Sequence, residues 1–199
     1  MRVRNEEEFQ NKKIELMEKA FDCYAQHGLH AIGIKGLAGA CGCTSANLYT
    51  YFADLDELIV QSTAYCMRKV EDDFMALAPR YIGELEQYID EIPYWTAKKH
   101  GQKYRLMYQV YTCPKYQASG RGFFREANQR YAGYAASLEG RLGIPGEVLT
   151  PLIILWVRAC VHYALFGDEC YLQSQLGAIK KDIRQFLSKS NALLKEEKV

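Results

Sequence analysis

Apolar residues in this 199-residue chain recur three and four positions apart almost from end to end, and no stretch alternates apolar and polar residues as a half-buried strand does. Five prolines are too few to interrupt that pattern often. The spacing predicts an all-α protein. A first helix is expected over about residues 8–26, where Ile14, Met17, Ala20, Phe21, Tyr24 and Ala25 share one face and Gly28 ends the run. Two short helices follow, at about 34–41 and 44–52, broken at Gly42. Asp54, with Glu57 three residues later, reads as a capping box that opens a long helix to about residue 78. Further helices are expected over 80–99, with a kink or split at Pro93, and over 102–113, 121–142, 147–166 and 169–195. The closing Lys195–Val199 is read as a frayed tail.

Composition narrows the class. The chain is 49% hydrophobic and 25% charged, which is that of a soluble globular protein. Its 25 basic and 24 acidic residues give a net charge of +1, so bulk positive charge cannot be what binds it to a nucleic acid. The apolar stretch Leu149–Gly167 carries Arg158 and His162 near its middle. An arginine there costs at least ~2.5 kcal/mol in a bilayer, so the stretch is read as a buried helix rather than a membrane span. Seven cysteines and an N-terminus without an apolar signal region point to free thiols in a reducing cytoplasm. Cys23, His27, His30, Cys41 and Cys43 sketch a soft-metal site, but no Cys-x-x-Cys pair supports it, and buried packing accounts for most of these thiols. No metal or cofactor is expected. No nucleophile–base pair, phosphate-binding glycine loop or paired carboxylate points to an enzyme.

The two short helices around Gly42 have the dimensions of a helix-turn-helix. Leu37, Ala38 and Cys41 give the first an inward face, Ala38 and Ala40 allow a close crossing, and Thr44 can cap the second. Leu48 and Phe52, four apart, turn inward, which leaves Ser45, Ala46, Asn47, Tyr49 and Thr50 outward. The run Leu37-Ala-Gly-Ala-Cys-Gly-Cys-Thr-Ser-Ala-Asn-Leu-Tyr-Thr-Tyr-Phe52, with Phe21 and Gly28 before it and Leu58 after, resembles the DNA-binding signature of the TetR family of transcriptional regulators. The resemblance covers about residues 10–60. It implies about nine helices: a three-helix DNA-binding head, residues 1–53, and a helical ligand-binding and dimerisation domain, residues 54–199. It further implies a homodimer that binds a palindromic double-stranded operator through its recognition helices and is released by a small-molecule effector. On that footing Lys35, Thr44, Ser45, Ala46, Asn47, Tyr49 and Thr50 are the expected DNA-binding residues.

The chain departs from the family pattern at three places. Gly33 stands where a hydroxyl residue commonly caps the first short helix, Ala46 replaces a glycine, and Leu55 replaces a phosphate-contacting lysine. Residues 1–60 carry six Lys or Arg against nine Asp or Glu, a net −3, and the remainder is +4. Between Asp22 and Asp54 the one charged residue is Lys35. The expected DNA contacts are therefore few in ion pairs and led by hydroxyls, amides and helix termini. The acidic head keeps a second reading open, a protein-interaction module on the same fold; a thiol or metal sensor is a third.

Nine of the 15 tyrosines lie between residues 81 and 134, and the two tryptophans are Trp95 and Trp156. An aromatic cavity with polar tips suits an amphipathic or planar ligand. The expected ligand-binding residues are Trp95, Tyr104, Met107, Tyr108, Tyr111, Tyr131, Trp156, Arg158 and His162. Arg158 and His162 share a helix face, and either an internal pairing or a polar ligand group would explain them. The last two helices carry more apolar surface than one buried face needs. Leu152, Ile153, Leu172, Leu176, Ile179, Ile183 and Phe186 are therefore the expected dimer interface.

Overall fold

The computed structural model describes residues 5–196. Their elements are α1 (Glu6–His27), α2 (Ile34–Ala40), α3 (Ser45–Tyr51), α4 (Leu55–Met75), α5 (Ile82–Thr112), a 3-10 turn (Pro114–Tyr116), α6 (Gln117–Leu142), α7 (Gly146–Phe166) and α8 (Glu169–Glu196). No strand occurs among the described residues. Eight α-helices replace the nine expected because 80–99 and 102–113 are one helix, α5, which runs through both Pro93 and Gly101. An interior proline costs a helix ~3 kcal/mol and a glycine ~1 kcal/mol relative to alanine. Burial on either side outweighs this: Ile89, Ile92, Thr96 and His100 are all buried along the same helix. Of the expected C-terminal tail, residues 195 and 196 continue α8, and 197–199 lie outside the described residues.

The chain divides into two compact units. The first joins residues 5–73 to Gln102–Arg125, and the second joins Phe74–Gly101 to residues 126–196. In the first, α1 packs on α2 and α2 on α3. Their core is Leu16, Phe21, Leu37, Leu48, Leu58 and Met67, each essentially fully buried. Burying a side chain of this size stabilises by roughly 1.5–3 kcal/mol. Asn5 caps α1, accepting from the Glu7 backbone N–H at 3.2 Å, and Glu6, Glu7 and Glu8 complement the positive end of that helix. The capping box forms at α4: the Glu57 N–H donates to Asp54 Oδ1 at 2.7 Å, and Glu57 Oε2 accepts from the Ala53 N–H at 2.5 Å.

In the second unit α7 and α8 form a hairpin across a two-residue connector. Gly167, in the left-handed region at φ 66°, closes α7, and Asp168 Oδ1 caps α8 by accepting from the Tyr171 N–H at 2.9 Å. Leu149, Ile153, Trp156, Ala159, Cys160 and Val161 are buried along α7. By length and composition α7 could cross a membrane, yet this face packs within the unit. The helix expected to be buried is buried on one side. Pro151, Leu155 and Phe166 lie on its exposed side.

Candidate functional site

The turn between α2 and α3 is built as its residues require. Gly42 takes φ 71°, and the Cys43 N–H reaches back to the Ala38 carbonyl at 2.9 Å. Gly33 offers α2 no side-chain cap, whereas Thr44 Oγ1 accepts from the Asn47 N–H at 3.2 Å and fixes the start of α3. Leu48 and Phe52 are 1% and 2% exposed. Lys13 lies 5.1 Å over the Phe52 ring, and Phe9 stacks on Tyr51 at 4.7 Å, which holds the end of α3 against α1. The opposite face is open: Ala46, Thr50 and Lys35 are exposed, Tyr49 is 52% exposed, and Ser45 and Asn47 are half-buried. Thr50 Oγ1 donates to the Ala46 carbonyl at 3.2 Å, so its hydroxyl oxygen still faces outward as an acceptor.

The acidity of the head is compensated within the first unit by residues remote in sequence. Lys69 pairs with Glu18 at 2.5 Å, Lys103 with Asp22 at 3.8 Å, and Lys115 with Asp56. Residues 61–73 add −1 and residues 102–125 add +5 to the −3 of residues 1–60, so the unit as a whole is +1. Asp56 also accepts from the Tyr116 hydroxyl at 2.5 Å, and the hydrogen bonds from Lys115 and Tyr116 hold its carboxyl below the usual value. Glu15 accepts from Lys12 at 2.8 Å and Lys19 at 2.6 Å, which lowers its pKa to about 2.

The second unit contains a small apolar cavity of about 30 Å³. Tyr88 from α5, Tyr134 from α6 and Trp156 from α7 form its aromatic wall, and Ile179 and Ile183 from α8 face them. No charged residue lines it. Trp156 sits 5.0 Å from Tyr88 and 4.9 Å from Phe74, and its indole N–H donates to the Ile89 carbonyl at 3.1 Å.

Of the nine expected ligand residues, Trp156 lines this cavity. Tyr104, Met107 and Tyr111 are buried in the first unit, with Tyr108 half-buried beside Phe124. Trp95 packs edge-on against His100 at 5.4 Å, and Tyr131 is buried; both belong to the second unit but not to the cavity wall. Arg158 is half-buried. His162 lies between the rings of Phe166 (4.8 Å) and Tyr171 (4.2 Å), with Asp168 at 3.6 Å. Tyr88 and Tyr134 are the aromatic wall residues that periodicity did not single out, because their meeting depends on how α5 and α6 are placed.

The residues expected at the dimer interface differ in exposure. Leu172, Leu176, Ile179, Ile183 and Ile153 are buried within the single chain. The reason is that α7 and α8 pack on each other. Leu152 and Phe186 are half-buried. Among the described residues of α7 and α8, the exposed large apolar side chains are Leu155 (38% exposed), Phe166 (71%) and Tyr171.

All seven cysteines are free thiols. Burial pushes Cys41 up to about 11 and Cys66 to about 12, and raises Cys23 and Cys160, so the thiolate needed for redox or metal chemistry is disfavoured at these four. Among the described residues no group of three or more His, Cys, Asp or Glu is arranged to hold a metal ion.

No protein-family model and no curated protein matches the sequence. Solved structures match the fold. A TetR-family transcriptional regulator from Streptomyces coelicolor is 15% identical over 97% of this chain and 85% of its own, with a TM-score of 0.63. The multidrug-binding protein EbrR, solved with imidazole, is 15% identical over 86% of this chain and 94% of its own, at 0.59. Thermus thermophilus FadR, a TetR-family transcriptional repressor solved with lauroyl-CoA, is 12% identical over 86% and 92%, at 0.55. The chain has the all-helical fold of the TetR-family transcriptional regulators.

Proposed function

We propose that the protein is a ligand-responsive transcriptional regulator of the cytoplasm, a repressor that binds a palindromic operator as a homodimer and is released by a small amphipathic or aromatic effector. The observation that carries this reading is the outward face of α3. Thr44, Asn47, Tyr49 and Thr50 stand on a helix anchored by Leu48 and Phe52, in a chain with the fold of known regulators. Ser45, Ala46, Asn47, Tyr49 and Thr50 would meet base edges in the major groove, and Lys35 and the capped start of α3 would meet phosphates. The exposed Leu155, Phe166 and Tyr171 support a dimer formed through the outer side of α7 and the start of α8. Two heads held one helical turn apart, ~34–36 Å, fit a palindrome, and an effector that favours a different spacing releases it. The alternative of a protein-interaction module draws on the acidic head, and the three lysines that neutralise it weaken that argument.

Selection of random duplex DNA on the purified protein tests the reading. Enrichment of a palindrome with half-sites about one turn apart is the expected result. Recovery of unenriched sequence would sink it in favour of the interaction module.

A further inference from the structure

We infer that Lys115, on the 3-10 turn between α5 and α6, contacts a phosphate of the DNA backbone beside α3, so that the DNA-binding surface of the first unit reaches beyond its helix-turn-helix. The inference rests on the DNA-binding reading above and adds a contact to it. The face around α3 is short of cations. Between Asp22 and Asp54 it carries Lys35 alone. The lysines that α1 brings to the end of α3 are less open: Lys13 is half-buried over the Phe52 ring, and Lys12, 37% exposed, is bonded to Glu15. A duplex nevertheless binds chiefly through its phosphates, which take most protein–DNA hydrogen bonds and reward each cation with the release of a counterion. The first unit holds its positive charge in another part of the chain. Residues 102–125 carry Lys103, Arg105, Lys115, Arg121 and Arg125 and no acid.

Of these five, Lys115 is the one that the fold brings to the end of α3. Its ammonium pairs with Asp56, in the first turn of α4. Asp56 follows Tyr51, the last residue of α3, by five positions, which is at most ~17 Å of chain. The phosphates that flank a helix seated in the ~12 Å major groove fall within that reach. Asp56 anchors the lysine and leaves it able to bind further. Its Oδ1 accepts from the Tyr116 hydroxyl at 2.5 Å and its Oδ2 from Lys115, so two consecutive residues of one turn are fastened to one carboxylate. The Lys115 side chain is still 61% exposed. An ammonium has three donors, and one carboxylate oxygen occupies one of them. An exposed pair of this kind is weak, so a phosphate can share the ammonium or draw it away.

Gel-shift titrations of the full-length protein over a series of salt concentrations, with the selected palindrome and with random duplex of equal length, test the contact. Lys115→Gln is expected to weaken binding to both by roughly three- to tenfold and to make the salt slope shallower by about 0.9, as the loss of one phosphate requires. Lys115→Arg is expected to bind as the wild type does. Asp56→Asn separates a phosphate contact from a pair that only holds the turn. If the pair only holds the turn, Asp56→Asn weakens binding as Lys115→Gln does. If Lys115 reaches DNA, Asp56→Asn binds at least as tightly as the wild type, because the competing anion is gone. Lys181→Gln removes the same charge from α8 and should leave affinity unchanged. An unaltered slope in Lys115→Gln, a loss in Asp56→Asn, or a loss in Lys181→Gln as large as that in Lys115→Gln would each overturn the contact. A selected palindrome that Lys115→Gln binds at full strength sinks this inference alone. No selected palindrome, with random duplex still bound more weakly by Lys115→Gln, sinks the operator reading alone. Absence of all duplex binding sinks both.

Discussion

Leu48 and Tyr49 are neighbours in the chain and differ in what they are for. Leu48 is fully buried, and its truncation to alanine is expected to cost about 2–5 kcal/mol, read as a lower urea midpoint. Tyr49 is 52% exposed. Tyr49→Ala is expected to leave stability within about 0.5 kcal/mol and to weaken binding to the selected palindrome in a gel-shift titration. Asp56 carries the pH dependence that belongs to a single residue. Hydrogen bonds from Lys115 and Tyr116 hold its carboxyl below the ordinary value of 3.8. A carboxylate with a depressed folded pKa stabilises the fold above its unfolded pKa, and the contribution is lost as the pH falls through the folded value. The gap in thermal midpoint between the wild type and Asp56→Asn should therefore be full at pH 7 and close below about pH 3.8. A gap that persists at pH 2 would show that the contact acts by shape and not by charge.

At the scale of elements, the turn between α2 and α3 has the sharpest conformational demand. Gly42 sits at φ 71° with nothing within 4 Å of a built Cβ, so the cost of a side chain there is one of backbone strain alone. Gly42→Ala is expected to destabilise by about 1–2 kcal/mol and Gly42→Asn by less, since asparagine tolerates the left-handed region. Equal losses in urea melts would mean that packing, not conformation, holds the turn. The short helices, this turn and the capping box at Asp54 were legible in the sequence because each depends on residues within four positions of one another. The continuity of α5 was not. Pro93 and Gly101 are local signals to stop, and the burial of Ile92, Thr96 and His100 that overrides them is a property of the folded unit.

At the scale of the molecule, the two sides of α7 and α8 assign the chain's own core and the proposed dimer to different residues. Leu172 is fully buried in the chain's own core, so Leu172→Ala should destabilise each subunit. Leu155 and Phe166 face outward, so Leu155→Glu with Phe166→Glu should yield a helical monomer by light scattering and circular dichroism. A stable dimer in that variant would place the interface elsewhere. The charge balance of the first unit bears on DNA affinity in the same way. Glu15, Glu18, Asp22 and Asp56 are met by lysines, and Lys35 is exposed on α2 in a stretch with no acid between Asp22 and Asp54. At roughly −0.9 per neutralised phosphate, the slope of log affinity against log salt should stay shallow. A slope typical of eight or more phosphate contacts would refute hydroxyl- and shape-led binding.

The sequence by itself determined that the chain is helical, where its short helices turn, and which face of α3 is left outward. Those are consequences of spacing over three or four residues, and no strand among the described residues competes with them. Tertiary structure alone decided which apolar face the chain keeps for its own core, which lysines answer the acids of the head, and which aromatics wall the cavity. Trp156 meets the Ile89 carbonyl 67 positions away, and Tyr116 reaches Asp56 across 60. Such pairings depend on the packing of whole helices, and periodicity within one helix carries no information about them.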